Sequence, residues 1–143
     1  MDAAQVPLIN IWGVVAATLS TLVIGSLWYT PKVFGTYWMR VARVDAAAAA
    51  KRGVVPIVVT VVVSFVTAWV LAGAAWLAHA FYGGSFLLDA VVTGLFLWAG
   101  FTAARVVTHD AFEGRPAGLT LLTVGHELVT VLVMSVVIGL FGL

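Results

Sequence analysis

The chain has 143 residues, of which 63% are hydrophobic and only 9% charged, with a formal net charge of +1. A soluble domain carries about a quarter of its residues charged, so a globular domain in water is excluded. The length suits one bundle, and no bulk charge points to nucleic acid. There is no cysteine, which removes disulfides, thiolate metal sites and cysteine nucleophiles.

Crossing the hydrocarbon core takes about 20 mostly apolar residues in a helix. The segment Met1 to Pro7 carries Asp2 but no Lys or Arg, and no cleavage site follows the first apolar run. The expectation is a retained helix, not a secretory signal. The first predicted span covers residues 8–29 and stops before Pro31. The second covers residues 54–82 and stops at Gly83-Gly84, the third residues 85–108, the fourth residues 117–143. The β-branched run at residues 57–63 would suggest strand in water. In lipid a lone strand leaves its backbone unpaired, so helix is expected. The fold class is all-α: one domain, residues 1–143, four transmembrane helices in a bundle.

Lys and Arg mark cytoplasmic loops. All seven fall in two stretches: Lys32, Arg40, Arg43, Lys51 and Arg52 between spans one and two, and Arg105 and Arg115 around the connection of spans three and four. Four spans then put both termini outside. The expected location is the cell (cytoplasmic) membrane, multi-pass. Within residues 31–53, Phe34, Tyr37, Trp38 and Val41 recur at helical spacing beside Arg40 and Arg43. This predicts an interfacial amphipathic helix on the inner leaflet, read either as an anchor or as a lid. Asp45 is placed to cap a short helix over residues 46–50.

The stretch Gly25-Ser-Leu27-Trp28-Tyr29-Thr-Pro31-Lys-Val-Phe34-Gly35-Thr-Tyr-Trp38-Met39 resembles the G-x-L-W-Y-x-P-x-x-F-G-x-x-W-M signature of a family of small four-span bacterial membrane proteins, domain of unknown function 1761. The resemblance implies a bacterial inner-membrane protein of this architecture and brings no activity with it. Physically the signature suits a helix exit. Pro31 disfavours helical geometry at Thr30, Trp28 and Tyr29 suit headgroup depth, and Gly35 permits a turn or a close approach.

Ionisable residues inside a span are default site candidates. They are Arg105, His109 and Asp110 near the inner end of span three and His126 and Glu127 within span four, with Glu113 and Arg115 in the connection. Counting outward from Pro116, Arg105 is level with His126 and Glu127, and His109 lies nearer the cytoplasm. An Arg105–Glu127 ion pair is therefore predicted, since neither charge is comfortable alone in hydrocarbon. His126 points about 100° from Glu127 on a regular helix, so it faces a neighbouring helix or a cavity. This cluster is read either as packing or as a ligand-binding or proton-handling site. In the second reading Arg105 clamps an anion or carbonyl, and His109 sits at the mouth. His109, Asp110, Glu113, His126 and Glu127 are ligand types for a transition metal. No ligand motif joins them and Arg105 would oppose a cation, so no metal is expected and no cofactor is implied.

On the other side, His79 is level with Asp89 and near the depth of Asn10, which predicts an interfacial His79–Asp89 hydrogen bond. Hydroxyl and polar residues align on single faces: Thr18, Thr21, Gly25 and Trp28; Thr60, Ser64 and Thr67; Trp98, Thr102, Arg105 and His109; Thr123, Glu127, Thr130 and Met134. Such stripes mark helix contacts in lipid. They predict a core with a polar inner half and no continuous aqueous pore. The small pairs Gly13/Ala17, Ala74/Ala78 and Gly100/Ala104 offer flat faces for a homo-oligomer.

Three functions fit these residues: binding or transport of a small lipophilic or anionic ligand through an inner-half polar site, acid–base enzymology on a lipophilic substrate, or an accessory subunit. No nucleophile motif, phosphate loop or cofactor fingerprint favours the enzyme.

Overall fold

A computed structural model describes residues 6–45, 47 and 51–143. The elements in chain order are α1 (Ile11–Trp28), α2 (Gly35–Val41), α3 (Val55–Tyr82), α4 (Phe86–Leu97), a π-helical turn (Trp98–Ala103), α5 (Ala104–Glu113) and α6 (Ala117–Phe141). No strand occurs among the described residues. The α4, π and α5 pieces form one continuous rod, so four helices are long and apolar enough to cross a membrane. They pack as an antiparallel ring in which each span touches the next and the fourth closes on the first. One end of the bundle carries the Lys and Arg residues (the basic end). The other carries Asn10, Gly83-Gly84 and the end of α6.

Local chemistry sets the helix limits. Asn10 caps α1 by accepting from the backbone N–H groups of Trp12 and Gly13, and its Nδ2 donates to the Phe141 carbonyl at 3.1 Å. That bond ties the start of span one to the end of span four. Gly83 and Gly84 both have positive φ, so they turn the chain between spans two and three where a side chain would be strained. Ser85 then caps α4. Gly114 ends α5 in the left-handed conformation, and the Arg115 N–H returns to the Asp110 carbonyl at 2.9 Å, the Schellman closure. Span three thus runs five residues beyond its predicted end at residue 108. His109, Asp110 and Glu113 are helical, and the predicted loop shrinks to residues 114–116.

The signature stretch folds as a compact exit from α1. Phe34 N–H donates to the Trp28 carbonyl at 3.1 Å and Gly35 N–H to the Thr30 carbonyl at 2.8 Å. A Cβ on Gly35 would collide with the Tyr29 oxygen and the Thr30 carbonyl, so the turn can close only around glycine. The predicted amphipathic segment contains α2, seven residues long. Its Tyr37 ring lies directly on Gly118 of α6. Asp45 Oδ1 accepts from Ala47 N–H at 2.9 Å. The rest of the short helix predicted over residues 46–50 lies outside the described residues, as does most of the Met1 to Pro7 segment.

The packed core sits in the half of the bundle away from the basic end. Val14 and Ala17 of α1, Ala68, Leu71 and Ala72 of α3, and Val131, Met134 and Ile138 of α6 form it. Small residues permit this closeness. Gly94 faces Ser135, Gly139 faces Leu87, and Gly13 faces Phe141. Gly13 and Ala17 are therefore engaged inside the chain and are not free for association. Gly100 and Ala104 remain exposed.

Helix α3 leaves this packing at its basic end. Ala68, Ala72 and Ala75 notch it into the bundle, but residues 55–60 are exposed on every face. The run Val58, Val59, Val61, Val62, Val63 offers no small residue at which a neighbouring backbone could approach. The result is a wedge between α3 and the rest of the bundle.

Candidate functional site

That wedge is a groove of about 720 Å³. Its walls come from three spans: Thr21, Gly25 and Tyr29 of span one and the residue after it, Pro56, Thr60, Ser64 and Thr67 of α3, and His126, Glu127 and Thr130 of α6. Leu22, Ile57, Val59, Val63, Val131 and Met134 supply apolar surface. The groove thus carries three of the hydroxyl stripes seen in the sequence. Thr21 and Ser64 hydrogen-bond across it at 3.1 Å. Thr60 and Thr67 donate to carbonyls of their own helix at positions 56 and 63, which satisfies their hydroxyls without a neighbouring span.

Glu127 and His126 stand side by side on the α6 wall. His126 Nδ1 lies 3.4 Å from Glu127 Oε1. The side chain of His126 is 16% exposed and that of Glu127 39% exposed. Although successive residues on a helix diverge by about 100°, both side chains reach the groove. His126 Nε2 and Thr130 Oγ1 are buried without a hydrogen-bond partner. Unpartnered buried polar atoms are rare because each costs about 1–3 kcal/mol. Two of them belong to residues that line this groove.

The signature aromatics close over His126. Its ring centroid lies 5.8 Å from that of Trp28 and 5.3 Å from that of Tyr29. Trp28 in turn packs at a tilt against Phe34 at 4.6 Å, and Tyr29 edge-on against Trp38 at 5.3 Å. Gly25 faces His126 Nε2, and Gly125 faces the Trp28 ring. Gly25 and Tyr29 of the signature stretch therefore also form part of the wall of the groove. Sequence reasoning missed this, since the signature and His126 are about a hundred positions apart. A second, apolar recess of about 550 Å³ lies behind it, lined by Trp28, Phe34, Tyr37, Gly118, Leu121, Leu122 and Gly125. Trp28 Nε1 is also buried without a partner.

The predicted Arg105–Glu127 pair does not form. Arg105 and His109 are both exposed, no carboxylate among the described residues lies within ion-pair distance of Arg105, and neither residue lines the groove. The π turn is the reason. Ala104 N–H bonds to the Ala99 carbonyl, five residues back, so one residue is absorbed without advancing the helix. On a regular helix Arg105 and His109 each lie within about 20° of Trp98. With one residue absorbed, Arg105 swings to about 120° away and His109 to about 80°, while Asp110 comes to within about 20°. Trp98 Nε1 donates to the Val124 carbonyl at 3.2 Å, and Asp110 faces the same helix, α6.

Asp110 is the charge that the structure buries, with 7% of its side chain exposed. It accepts from Thr120 Oγ1 at 2.7 Å and from Arg115 Nη1 at 3.3 and 3.4 Å. This staples the two helices flanking Gly114. The opposite charges five residues apart across a glycine stop were its signal in the sequence.

At the far end of the bundle His79 Nδ1 and Asp89 Oδ2 meet at 2.8 Å, with Phe86 edge-on to the imidazole at 5.5 Å. The pair bridges the two helices beside the Gly83-Gly84 turn and lies far from the groove. Among the described residues no three His, Asp or Glu side chains converge as a metal site would require.

No curated protein and no solved structure matches the chain. One family model matches it over residues 12–139, through all four spans, the signature stretch and the groove. The chain therefore belongs to the family described as Protein of unknown function (DUF1761).

Proposed function

We propose that this membrane protein is a binding protein for a lipophilic molecule with a polar head, which it takes into the groove between α1, α3 and α6. The carrying observation is a groove that pairs apolar walls from three spans with the polar side chains of Thr60, Ser64, His126 and Glu127. The volume falls in the range of about 300–1,000 Å³ usual for small-molecule sites. By the distribution of Lys and Arg, the basic end faces the cytoplasm of a bacterial inner membrane and both termini lie outside. The ligand enters at the cytoplasmic side or sideways from the lipid, past the exposed turns of α3. Val14, Ala17, Leu71, Met134 and Ile138 close the other half of the bundle. That favours capture and release on one side over conduction through a pore. A small anion is a poor fit, because no Lys or Arg among the described residues lines the groove.

Purified protein in mild detergent should carry lipophilic molecules that solvent extraction and mass spectrometry identify. Ser64→Trp, which fills the groove, should lose them. Val107→Trp, on the exposed side of α5, should keep them. Equal recovery from both variants would overturn the proposal.

A further inference from the structure

We infer that the groove selects a lipophilic organic cation, with the Glu127 carboxylate as its counter-ion. The inference rests on reading the groove as a ligand site and adds the charge class of the head group. Among the described residues Glu127 is the one acidic residue lining the groove, and no Lys or Arg lines it. Arg115 is engaged by Asp110, and Arg105 is exposed on the rod of span three. Among the described residues the one side chain within ion-pair distance of Glu127 is its neighbour His126, at 3.4 Å. A carboxylate facing apolar walls attracts a cation more strongly than it would in water, because the surrounding dielectric is low. Tyr29 lines the same groove, with its ring 5.3 Å from His126. Its aromatic face adds cation–π attraction for a diffuse cation. An inorganic metal ion does not suit the site. Such an ion needs several oxygen or nitrogen ligands, and no three His, Asp or Glu side chains converge among the described residues. The walls of Leu22, Ile57, Val63, Val131 and Met134 instead match a cation clothed in hydrocarbon.

The probes are tetraphenylphosphonium and the neutral triphenylphosphine oxide. Equilibrium dialysis of the full chain in a non-ionic detergent measures both, with protein-free micelles subtracted. Tetraphenylphosphonium should bind the wild type. Glu127→Gln should weaken it about tenfold or more, the loss expected when an opposite charge is removed from beside a cation at low effective dielectric. Glu127→Asp, which keeps the charge, should retain most of the binding and shows that the position tolerates change. The neutral probe should respond less than threefold to either substitution. No tetraphenylphosphonium binding to the wild type, or equal binding to wild type and Glu127→Gln, overturns the inference. If Ser64→Trp still abolishes binding of the neutral probe in that event, the groove stands as a ligand site and only the charge class falls. If Ser64→Trp leaves both probes unaffected, the ligand site falls as well.

Discussion

Replacing Asp110 should cost this protein far more stability than replacing Arg105, although both are charges in the same rod of span three. Asp110 has 7% of its side chain exposed and accepts from Thr120 at 2.7 Å and from Arg115 at 3.3 and 3.4 Å. The Thr120 bond is charge-assisted and part-buried, worth about 1.5–3 kcal/mol. The Arg115 side chain is 34% exposed, so its pairing adds only about 0.2–1 kcal/mol. Asp110→Ala should therefore destabilise by about 2–3 kcal/mol. Arg105→Ala removes an exposed side chain with no ion-pair partner and should stay within about 0.5 kcal/mol. Reversible unfolding by SDS in mixed micelles measures both. A double-mutant cycle gives a second reading. Asp110 with Thr120 should couple by more than about 1 kcal/mol, whereas Arg105 with Glu127 should add within about 0.5 kcal/mol. Strong Arg105–Glu127 coupling, or equal losses for Asp110→Ala and Arg105→Ala, would refute the rotation assigned to the π turn.

Gly139→Ala should destabilise by about 1–3 kcal/mol through overpacking, because its Cβ would stand 2.7 Å from the Leu87 Cα. Gly100→Ala meets nothing within 4 Å and should be neutral or slightly stabilising in the same unfolding assay. Orientation is open to cysteine labelling in intact cells with an impermeant reagent. A cysteine at Gly84 should label and one at Gly53 should not, and the reverse pattern would place the basic end outside.

Much of this architecture is legible in the amino-acid order, for reasons of solvent. Long apolar runs must be helical where no water can satisfy a backbone, and Pro31, Gly83-Gly84 and Gly114–Pro116 are the only stops such runs meet. His79 and Asp89 were placed by counting residues from a tight turn, and counting works because both helices beside that turn are regular. Equal counting from Pro116 assigns Arg105 a depth but cannot assign it a face. Depth depends only on rise per residue, whereas face depends on every intervening turn being α-helical. One π turn at Trp98–Ala103 rotates Asp110 inward and Arg105 outward, and no proline announces it. The groove is likewise a tertiary product. The sequence shows the hydroxyl stripes, but only the packing shows that alanines at 68, 72 and 75 hold α3 against the bundle while the valines before them do not. The meeting of Trp28 and Tyr29 with His126 depends on spans one and four closing the ring, a long-range contact that local pattern does not encode.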